Sequence, residues 1–155
     1  MENFNVKIER VTKDNYHMFD DMVFWRINGV ERRKEEKEKS RTIDFSYAYS
    51  QLQHQGFYAY AALVEGRYVG WITLMFTPKL GKWSTGVLYV DEVWTSPEYR
   101  RRGIAFSLME KIKDVQKETG AKRIRLYTDN FPAVELYKKC GFKISAEEVV
   151  FMERS

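Results

Sequence analysis

The chain begins with apolar residues at alternating positions and then becomes helical in pattern. Val6, Ile8 and an apolar position near Val11 alternate with polar residues, which predicts a first strand. The next segment, Tyr16 to Trp25, is rich in apolar residues and is followed by Gly29. Because glycine is common just after the last turn of a helix, we expect a first helix that ends near Gly29.

Strand-forming residues dominate the middle of the chain. Two runs rich in β-branched and aromatic residues, 57–64 and 68–77, flank Glu65-Gly66-Arg67, a sequence typical of a hairpin turn. Residues 78–81 contain proline and glycine, which predict a break before the next strand, Trp83 to Thr95. The middle of the chain therefore predicts three consecutive strands.

The C-terminal third alternates helices and strands. Apolar residues recur at helical spacing from Ile104 to Val115, and Gly120 is placed to end that helix. A strand is predicted from Ala121 to Thr128, and a short helix with proline in its first turn from Pro132 to Lys139. Val149 to Met152 is predicted to form a closing strand.

This order of elements indicates one mixed α/β domain over residues 1–155. A length of 155 residues, 44% of them hydrophobic, is typical of a single domain with its own core. A helix joins the strands that end near Thr95 and Thr128, which implies a parallel, right-handed crossover. Ligands of such sheets collect at the carboxyl ends of the strands, so the segment after Thr95 is a candidate site.

The charge of the chain is modest and mixed in sign. The formal net charge is +4, and the basic residues are dispersed among acidic ones, which disfavours a nucleic-acid-binding function. Charges four positions apart in Glu31 to Lys39 predict a solvated helix face. A small positive excess also suits an anionic cofactor, and composition alone does not choose between these partners.

An arginine-rich run, Tyr99 to Ala105, lies between the strand ending at Thr95 and the following helix. Cations at a helix start oppose the macrodipole at a cost of about 0.3 to 1 kcal/mol each, which a bound anion would offset. The first N–H groups of a helix lack intrahelical partners, and Gly103 lets the backbone approach a ligand closely. The run predicts a pyrophosphate site, with a solvated basic turn as the alternative.

Two segments resemble motifs of the GCN5-related N-acetyltransferases (GNAT), which transfer acetyl groups from acetyl-coenzyme A to amines. Arg100, Gly103 and Ala105 match the pattern Arg/Gln-x-x-Gly-x-Gly/Ala. Residues 130–142 look like the pattern Asn-x-x-Ala-x-x-Leu-Tyr-x-x-x-Gly-Phe. Their order and separation make the resemblance specific, although it covers only residues 87–142.

The resemblance implies a fold and a cofactor. The expected fold is a mixed, mostly antiparallel central sheet with one parallel, splayed strand pair and helices on both faces. Acetyl-coenzyme A is the expected acetyl donor, with its pantetheine arm pairing to the strand near Val93 to Thr95, and no metal is expected. The predicted cofactor-binding residues are Val93, Trp94, Thr95, Arg100, Arg101, Arg102, Gly103, Ile104, Ala105, Phe106, Asn130, Ala133 and Tyr137.

The resemblance assigns Tyr137 as the general acid. Acetyl transfer to an amine needs a proton for the departing thiolate. A phenol with a pKa of about 10 can protonate a thiolate with a pKa of about 8.5 if its hydroxyl reaches the sulfur. Packing on an amphipathic helix is the alternative role for Tyr137.

The adjacent acids Asp91 and Glu92 are the candidate bases for the proton of the amine. Neighbouring strand residues point to opposite faces, so a regular strand would aim only one of them at the acceptor, whereas a bulge would relax that restriction. The pair looks like the adjacent acids of spermidine/spermine acetyltransferases, which favours a small cationic amine such as a polyamine. The alternative is an ion pair with a neighbouring lysine or arginine.

Further acids are expected on the acceptor side. The acceptor region implied by the resemblance contains four more acidic residues, Asp20, Asp21, Glu147 and Glu148. Arg125 stands where acetyltransferases of ribosomal-protein N-termini carry an acidic residue, which counts against that subclass. A protein N-terminus or lysine as acceptor, and a catalytically inactive coenzyme A-binding module, stay open as alternatives.

The remaining expectations concern environment and partners. A single cysteine, Cys140, allows no internal disulfide and fits a reducing compartment, and we expect it to be a core residue. No signal-peptide pattern and no membrane-length apolar run is present, so we expect a cytoplasmic protein without membrane contact. The expected partner is a small-molecule amine and not a nucleic acid, and a homodimer is left open.

Overall fold

A computed structural model describes residues 5–81 and 86–155. Its strands and helices alternate much as the hydrophobic pattern predicts. In chain order the elements are β1 (Lys7–Arg10), α1 (Tyr16–Asn28), α2 (Lys34–Ser40), α3 (Ser46–Leu52), β2 (Phe57–Val64), β3 (Arg67–Thr77), β4 (Val87–Thr95), a 3₁₀ turn (Pro97–Tyr99), α4 (Ile104–Glu110), α5 (Ile112–Thr119), β5 (Arg123–Leu126) and α6 (Phe131–Lys139).

The five strands form one mixed sheet in the order β1-β2-β3-β4-β5. The first four strands are antiparallel neighbours, and β5 pairs in parallel with β4. The connection through α4 and α5 makes this parallel pairing possible, because parallel strands need a long crossover. The expected mixed, mostly antiparallel sheet is confirmed.

Helices cover both faces of the sheet. Along β2, Tyr58, Tyr60 and Ala62 belong to the core cluster beneath α4 and α5, whereas Ala59 and Ala61 belong to the cluster beneath α1. This alternation follows from the period of two in a strand. Both faces of the central strands β2 and β3 are buried, and these two strands are accordingly rich in apolar residues. The expectation of helices on both faces is confirmed.

The parallel pair opens towards the end of β4. Its paired residues run from Val87 with Arg123 to Val90 with Leu126, where β5 ends. On the other side, β4 stays paired with β3 as far as Thr95 with Gly70. The edge of β4 from residue 91 to 95 that faces away from β3 therefore borders an opening rather than β5.

The ends of the helices follow local signals. Gly29 and Gly120 adopt left-handed φ values of 75° and 72° at the ends of α1 and α5, as expected from their positions. The charged run forms α2 over Lys34–Ser40. The helix predicted from Ile104 is interrupted at Lys111, which separates α4 from α5.

The predicted closing strand at Val149 to Met152 is wrong. This segment contains no strand, and its four side chains are 55% to 83% exposed. Strand propensity is realised only against a neighbouring strand, so an apolar run by itself does not secure one. The helix α3 was not predicted, and Trp83, the predicted start of β4, lies outside the described residues.

Candidate active site

A β-bulge in β4 lies at the two candidate bases. Thr73 of β3 is opposite Glu92, whereas the next residue, Leu74, is opposite Val90, so Asp91 is the extra residue. The backbone N–H of Glu92 donates a hydrogen bond of 3.1 Å to Oγ1 of Thr73. A bulge breaks the strict alternation of a strand, and it thereby removes the geometric restriction on using both acids.

Glu92 is held in an ion pair. Nη1 of Arg26, on α1, donates a hydrogen bond of 2.9 Å to Oε2 of Glu92, and both side chains are about half exposed. The guanidinium of Arg26 also lies 5.1 Å from the centre of the Trp71 ring. Glu92 therefore forms the ion pair with a basic residue that the sequence left open as its alternative role, and Arg26 compensates its negative charge.

The carboxylate of Asp91 makes neither a hydrogen bond nor an ion pair within residues 5–81 and 86–155. Partial burial raises the pKa of Asp91, and the charge of Glu92 raises it further. Both effects disfavour the ionised form, so the carboxylate of Asp91 is a stronger base than a fully solvated aspartate. Asp91 is the better candidate base of the two.

The other predicted acids of the acceptor side lie elsewhere. Nη1 of Arg32 binds Asp20 at 2.6 Å and Asp21 at 2.9 Å, and all three side chains are largely buried. Glu147 and Glu148 are exposed in the segment without secondary structure after α6. The structure therefore brings Asp91 and Glu92 together but does not add these four acids to them.

The arginine-rich loop turns sharply between β4 and α4. Arg101 and Gly103 have left-handed φ values of 61° and 80°. Nε of Arg100 donates a 3.2 Å hydrogen bond to the carbonyl of Thr95, and the guanidinium of Arg102 lies 5.6 Å from the centre of the Tyr99 ring. The loop is thereby fastened to the end of β4 on one side and to Tyr99 on the other.

The start of α4 offers an open backbone surface. The N–H of Ser107 donates to the carbonyl of Gly103 at 3.0 Å, and this is the first hydrogen bond of the helix. The N–H groups of residues 104–106 lie before it and therefore have no acceptor within the helix. A Cβ atom built on Gly103 would meet no heavy atom within 4 Å. These are the properties that a pyrophosphate site requires, and they fit a coenzyme A moiety.

Arg67 is a contributor to the site that the sequence did not reveal. Its Nη2 donates a 2.9 Å hydrogen bond to the hydroxyl of Tyr99, and its Nη1 binds the carboxylate of Glu31. Its guanidinium also stacks over the ring of Trp25. Arg67 lies 32 positions before Tyr99, at the start of β3, and nothing local to it signals this contact.

Tyr137 lies on α6, the helix that comes after β5 in the chain. It is half-buried against the core cluster that Val93 and Leu126 also contact, and its ring meets Phe142 edge-on at 6.3 Å. Burial raises the pKa of Tyr137, and the neighbouring Cys140 adds to the effect. The phenol therefore stays protonated throughout the neutral range.

Asn130 begins α6. Its N–H is bound by Oγ1 of Thr128 at 3.0 Å, and its carbonyl accepts a 3.0 Å hydrogen bond from the N–H of Ala133. These contacts place the first turn of α6 directly after the end of β5. Of the predicted cofactor residues on α6, Tyr137 packs against the core cluster that Val93 also contacts.

Two features are absent from the described part of the chain. It holds no group of three or more histidine, cysteine, aspartate or glutamate side chains arranged to bind a metal ion. Among its helices, none combines the length and apolar character needed to cross a bilayer.

Residues 22–142 match the model of the acetyltransferase (GNAT) family. The match includes the β4 bulge, the arginine-rich loop and Tyr137, and it spans well over half of the chain. The chain belongs to this family. The expectation drawn from the two sequence motifs is thus confirmed.

Individual proteins are also similar to this chain in sequence or in fold. An uncharacterized N-acetyltransferase of Methanocaldococcus jannaschii is 26% identical over 149 residues, which cover 92% of this chain but 65% of the relative. An aminoglycoside acetyltransferase from an uncultured soil metagenomic sample has a TM-score of 0.76 at 23% identity, covering 97% of this chain and 98% of that one. These similarities are to related proteins, and this chain spans less than two thirds of the archaeal relative.

A further solved structure contains part of the expected cofactor. AAC(6')-Iy, in complex with the bisubstrate analogue CoA-S-monomethyl-acetylneamine, has a TM-score of 0.71 at 14% identity, with 97% of this chain and 99% of that chain covered. At this identity the likeness concerns the fold. Coenzyme A is thus bound by a protein with the fold described above.

Proposed function

We propose that this protein transfers an acetyl group from acetyl-coenzyme A to a primary amine. The observation that carries the proposal is the arrangement along β4, where the bulge at Asp91, an edge that β5 does not pair with and the arginine-rich loop follow one another. The family assignment and the coenzyme A complex of a related fold support it.

The residues that would hold the cofactor lie along this strand and loop. The backbone of Val93 to Thr95 borders the opening and is available for strand-like hydrogen bonds. Residues 100–106 supply N–H groups and guanidinium groups for the pyrophosphate, with Gly103 leaving space for it. When bound, acetyl-coenzyme A supplies the acetyl thioester and a thiolate leaving group.

In this proposal Tyr137 donates a proton from its hydroxyl to the leaving sulfur. Its half-buried position and raised pKa keep the phenol protonated at neutral pH, so the hydroxyl can donate when the thiolate forms beside it. Reference pKa values of about 10 for a phenol and about 8.5 for a thiol correspond to an uphill transfer of about 2 kcal/mol, and the raised pKa of Tyr137 adds to this cost. Asn130 and Ala133 support this role by fixing the start of α6.

Asp91 takes up the proton of the incoming ammonium group. An amine with a pKa of about 10 is almost wholly protonated at neutral pH and attacks only after losing a proton. Asp91 has no cationic partner among residues 5–81 and 86–155, whereas Glu92 is compensated by Arg26. We therefore assign the acceptance of the proton, directly or through water, to Asp91, and the orientation of the bulge to Glu92.

The acceptor is an amine that arrives as a cation. Aminoglycoside acetyltransferases with this fold support a small-molecule acceptor. A polyamine is a candidate because of the acidic pair, but only one of the two carboxylates lacks a cationic partner among the described residues. A protein N-terminus is disfavoured as the acceptor, because Arg125 stands on β5 where the resemblance places an acidic residue in acetyltransferases of ribosomal-protein N-termini.

Thiol release from acetyl-coenzyme A in the presence of amines tests the proposal. The panel contains polyamines, aminoglycosides, amino acids and short peptides, and mass spectrometry identifies the acetylated product. We expect amine-dependent thiol release that follows saturation kinetics. A protein that binds coenzyme A tightly but acetylates no member would instead be a binding module.

A further inference from the structure

A small cavity lies between α1, α2 and the start of β3. Its volume is about 200 Å³, and its described lining residues come from one side of α1, from α2 and the residues flanking it, and from residues 66–68. None of them is an acid of the β4 bulge, a predicted cofactor residue or a residue of α6. The cavity is therefore separate from the candidate active site, although Arg67, which binds Tyr99, is one of its lining residues.

The buried part of the lining is apolar. Met22 and Trp25 of α1 both line the cavity and are 2% and 4% exposed. Ligand pockets combine such apolar walls with a few polar groups, and those for drug-sized molecules begin at about 300 Å³. A cavity of about 200 Å³ therefore suits a molecule with only a few carbon atoms.

Arg32 places a largely buried guanidinium in the lining. Its side chain is 12% exposed, and both Asp20 and Asp21 bind the same nitrogen, Nη1. Neither Nε nor Nη2 of Arg32 donates a hydrogen bond within residues 5–81 and 86–155. Because a charged donor that is removed from water gains most from an acceptor, an oxyanion in the cavity would stabilise this arrangement.

Two further cations, Lys37 and Arg41, line the cavity four positions apart along α2 and its cap. Side chains at this spacing are neighbours on a helix, and like charges there destabilise it. Neither Lys37 nor Arg41 forms an ion pair with any described residue, whereas Arg33, which does not line the cavity, is paired with Glu36. An anion beside Lys37 and Arg41 would offset their mutual repulsion.

The carboxylates of the lining are already bound by arginines. Asp21 binds Arg32, and Glu31 binds Arg67, which also lies 4.0 Å from Glu98 outside the lining. A cationic ligand would therefore meet no carboxylate that lacks a partner among the described lining residues. An anionic ligand would meet the two cations of α2 that have no acidic partner, and attraction between opposite charges favours it.

We propose that this cavity binds a small organic anion. Its carboxylate or phosphate group lies at Lys37 and Arg41, within reach of the remaining N–H groups of Arg32, and its short carbon chain lies against Met22 and Trp25. Lysine and arginine bind both kinds of oxyanion through charge-assisted hydrogen bonds. The inference concerns a second binding site and does not rest on the proposed function.

Four compounds that share a propyl group test the charge preference. Butyrate, propyl phosphate, 1-butanol and butylamine carry a carboxylate, a phosphate, a neutral hydroxymethyl or a cationic aminomethyl group on it. In an NMR titration of the full chain, the backbone N–H of Gly66 reports on the cavity and that of Gly103 on the arginine-rich loop. At Gly66 we expect at least one anion to bind with a Kd of about 1 mM or lower, at least about tenfold tighter than the alcohol and the amine. The order of the two anions identifies the preferred head group.

Charge variants of α2 locate the anion. Lys37→Gln and Arg41→Gln are each expected to raise the Kd of the preferred anion about tenfold and to leave 1-butanol unchanged. Both side chains are at least partly exposed, so either variant should fold, and each serves as a check on the other. Lys39→Gln removes the same charge from an exposed position of α2 that does not line the cavity, and its Kd should stay within about twofold of the parent value.

The same titrations in saturating coenzyme A separate the cavity from the cofactor site. We expect the Kd measured at Gly66 to stay the same, because the lining contains no predicted cofactor residue. Displacement of the anion by coenzyme A, with shifts at Gly103 instead of Gly66, would place it at the arginine-rich loop and overturn the inference. Equal affinity for the anions and 1-butanol, no binding of either anion, or an equal loss in Lys39→Gln would also overturn it. A failure to acetylate any amine would overturn the proposed function and leave these results intact.

Discussion

The guanidinium of Arg67 donates a hydrogen bond of 2.9 Å to the hydroxyl of Tyr99, which joins the start of β3 to the turn before the arginine-rich loop. Tyr99 is almost fully buried, and its N–H donates to the carbonyl of Ser96. Arg67 is itself held by Glu31. The turn that leads into the loop that we assign to the pyrophosphate is therefore held by a side chain from the start of β3.

Loss of this support is expected to weaken coenzyme A binding. Arg67→Met and Tyr99→Phe each remove the hydrogen bond, and a net value of about 0.5 to 1.5 kcal/mol corresponds to a roughly two- to tenfold rise in Kd. Calorimetric titration with coenzyme A measures the effect. Because both variants remove this hydrogen bond, the loss in the double variant should be smaller than the sum of the two single losses.

Arg33→Gln is the control for the Arg67 variants. It removes an exposed arginine and an ion pair with Glu36, but Arg33 lies at the start of α2 and not at the loop. Its coenzyme A affinity should equal that of the parent protein. A loss of affinity as large as that of Arg67→Met would show a general charge effect.

Gly103→Glu is expected to lower coenzyme A affinity by well over tenfold, or more than about 1.4 kcal/mol. The carboxylate would occupy the open space in front of the loop and repel a pyrophosphate, and the φ of 80° adds strain for a side chain. Gly103→Asn is the matched control, because asparagine tolerates a left-handed φ and adds no charge. Equal affinity of Gly103→Glu and the parent would remove the loop from the cofactor site.

Tyr137→Phe is expected to lower kcat by about 10² to 10⁴ while coenzyme A affinity stays close to that of the parent. The phenyl ring retains the packing against Phe142, so thermal unfolding should change little. Because the pKa of Tyr137 is raised, any loss of rate from its ionisation should begin only above about pH 10. Full turnover by the variant, with chemistry rate-limiting, would exclude Tyr137 as the acid.

Asp91→Asn is expected to stabilise the protein slightly at pH 7. Burial and the charge of Glu92 raise the pKa of Asp91 in the folded protein above its unfolded value of about 3.9, so ionisation there opposes folding. The rise in Tm should therefore vanish as the pH falls through these pKa values, where both states are protonated. Glu92→Gln, which breaks the pair with Arg26, should instead leave Tm unchanged or lower it.

The same two variants separate the roles of the acids in catalysis. Asp91→Asn is expected to lower kcat/KM by about 10² or more at neutral pH, where the amine still holds its proton. Glu92→Gln should have a smaller effect, since Glu92 acts through the shape of the bulge. Measurement of kcat/KM from pH 6 to 10 decides between them, and a larger loss in Glu92→Gln would exchange the two assignments.

Local sequence patterns determined most of the elements and part of the site. The β2 to β3 hairpin, the glycines that end α1 and α5, and the sharp loop after β4 all depend on residues close together in the chain. Hydrophobic period and turn residues therefore predict them. Two motifs at a fixed separation were sufficient to predict the family, and the match to the family model confirms that prediction.

The tertiary structure alone decided the charge partners and the final segment. Glu92 and Arg26 are 66 positions apart, and Arg125 and Tyr89 are 36 apart, so neither contact leaves a local pattern. Both depend on the register of β4 with its neighbours, where one extra residue at Asp91 changes which side chains face each other. Val149 to Met152 has the composition of a strand but does not join the five-stranded sheet, because strand formation depends on pairing with a neighbouring strand and not on local composition alone.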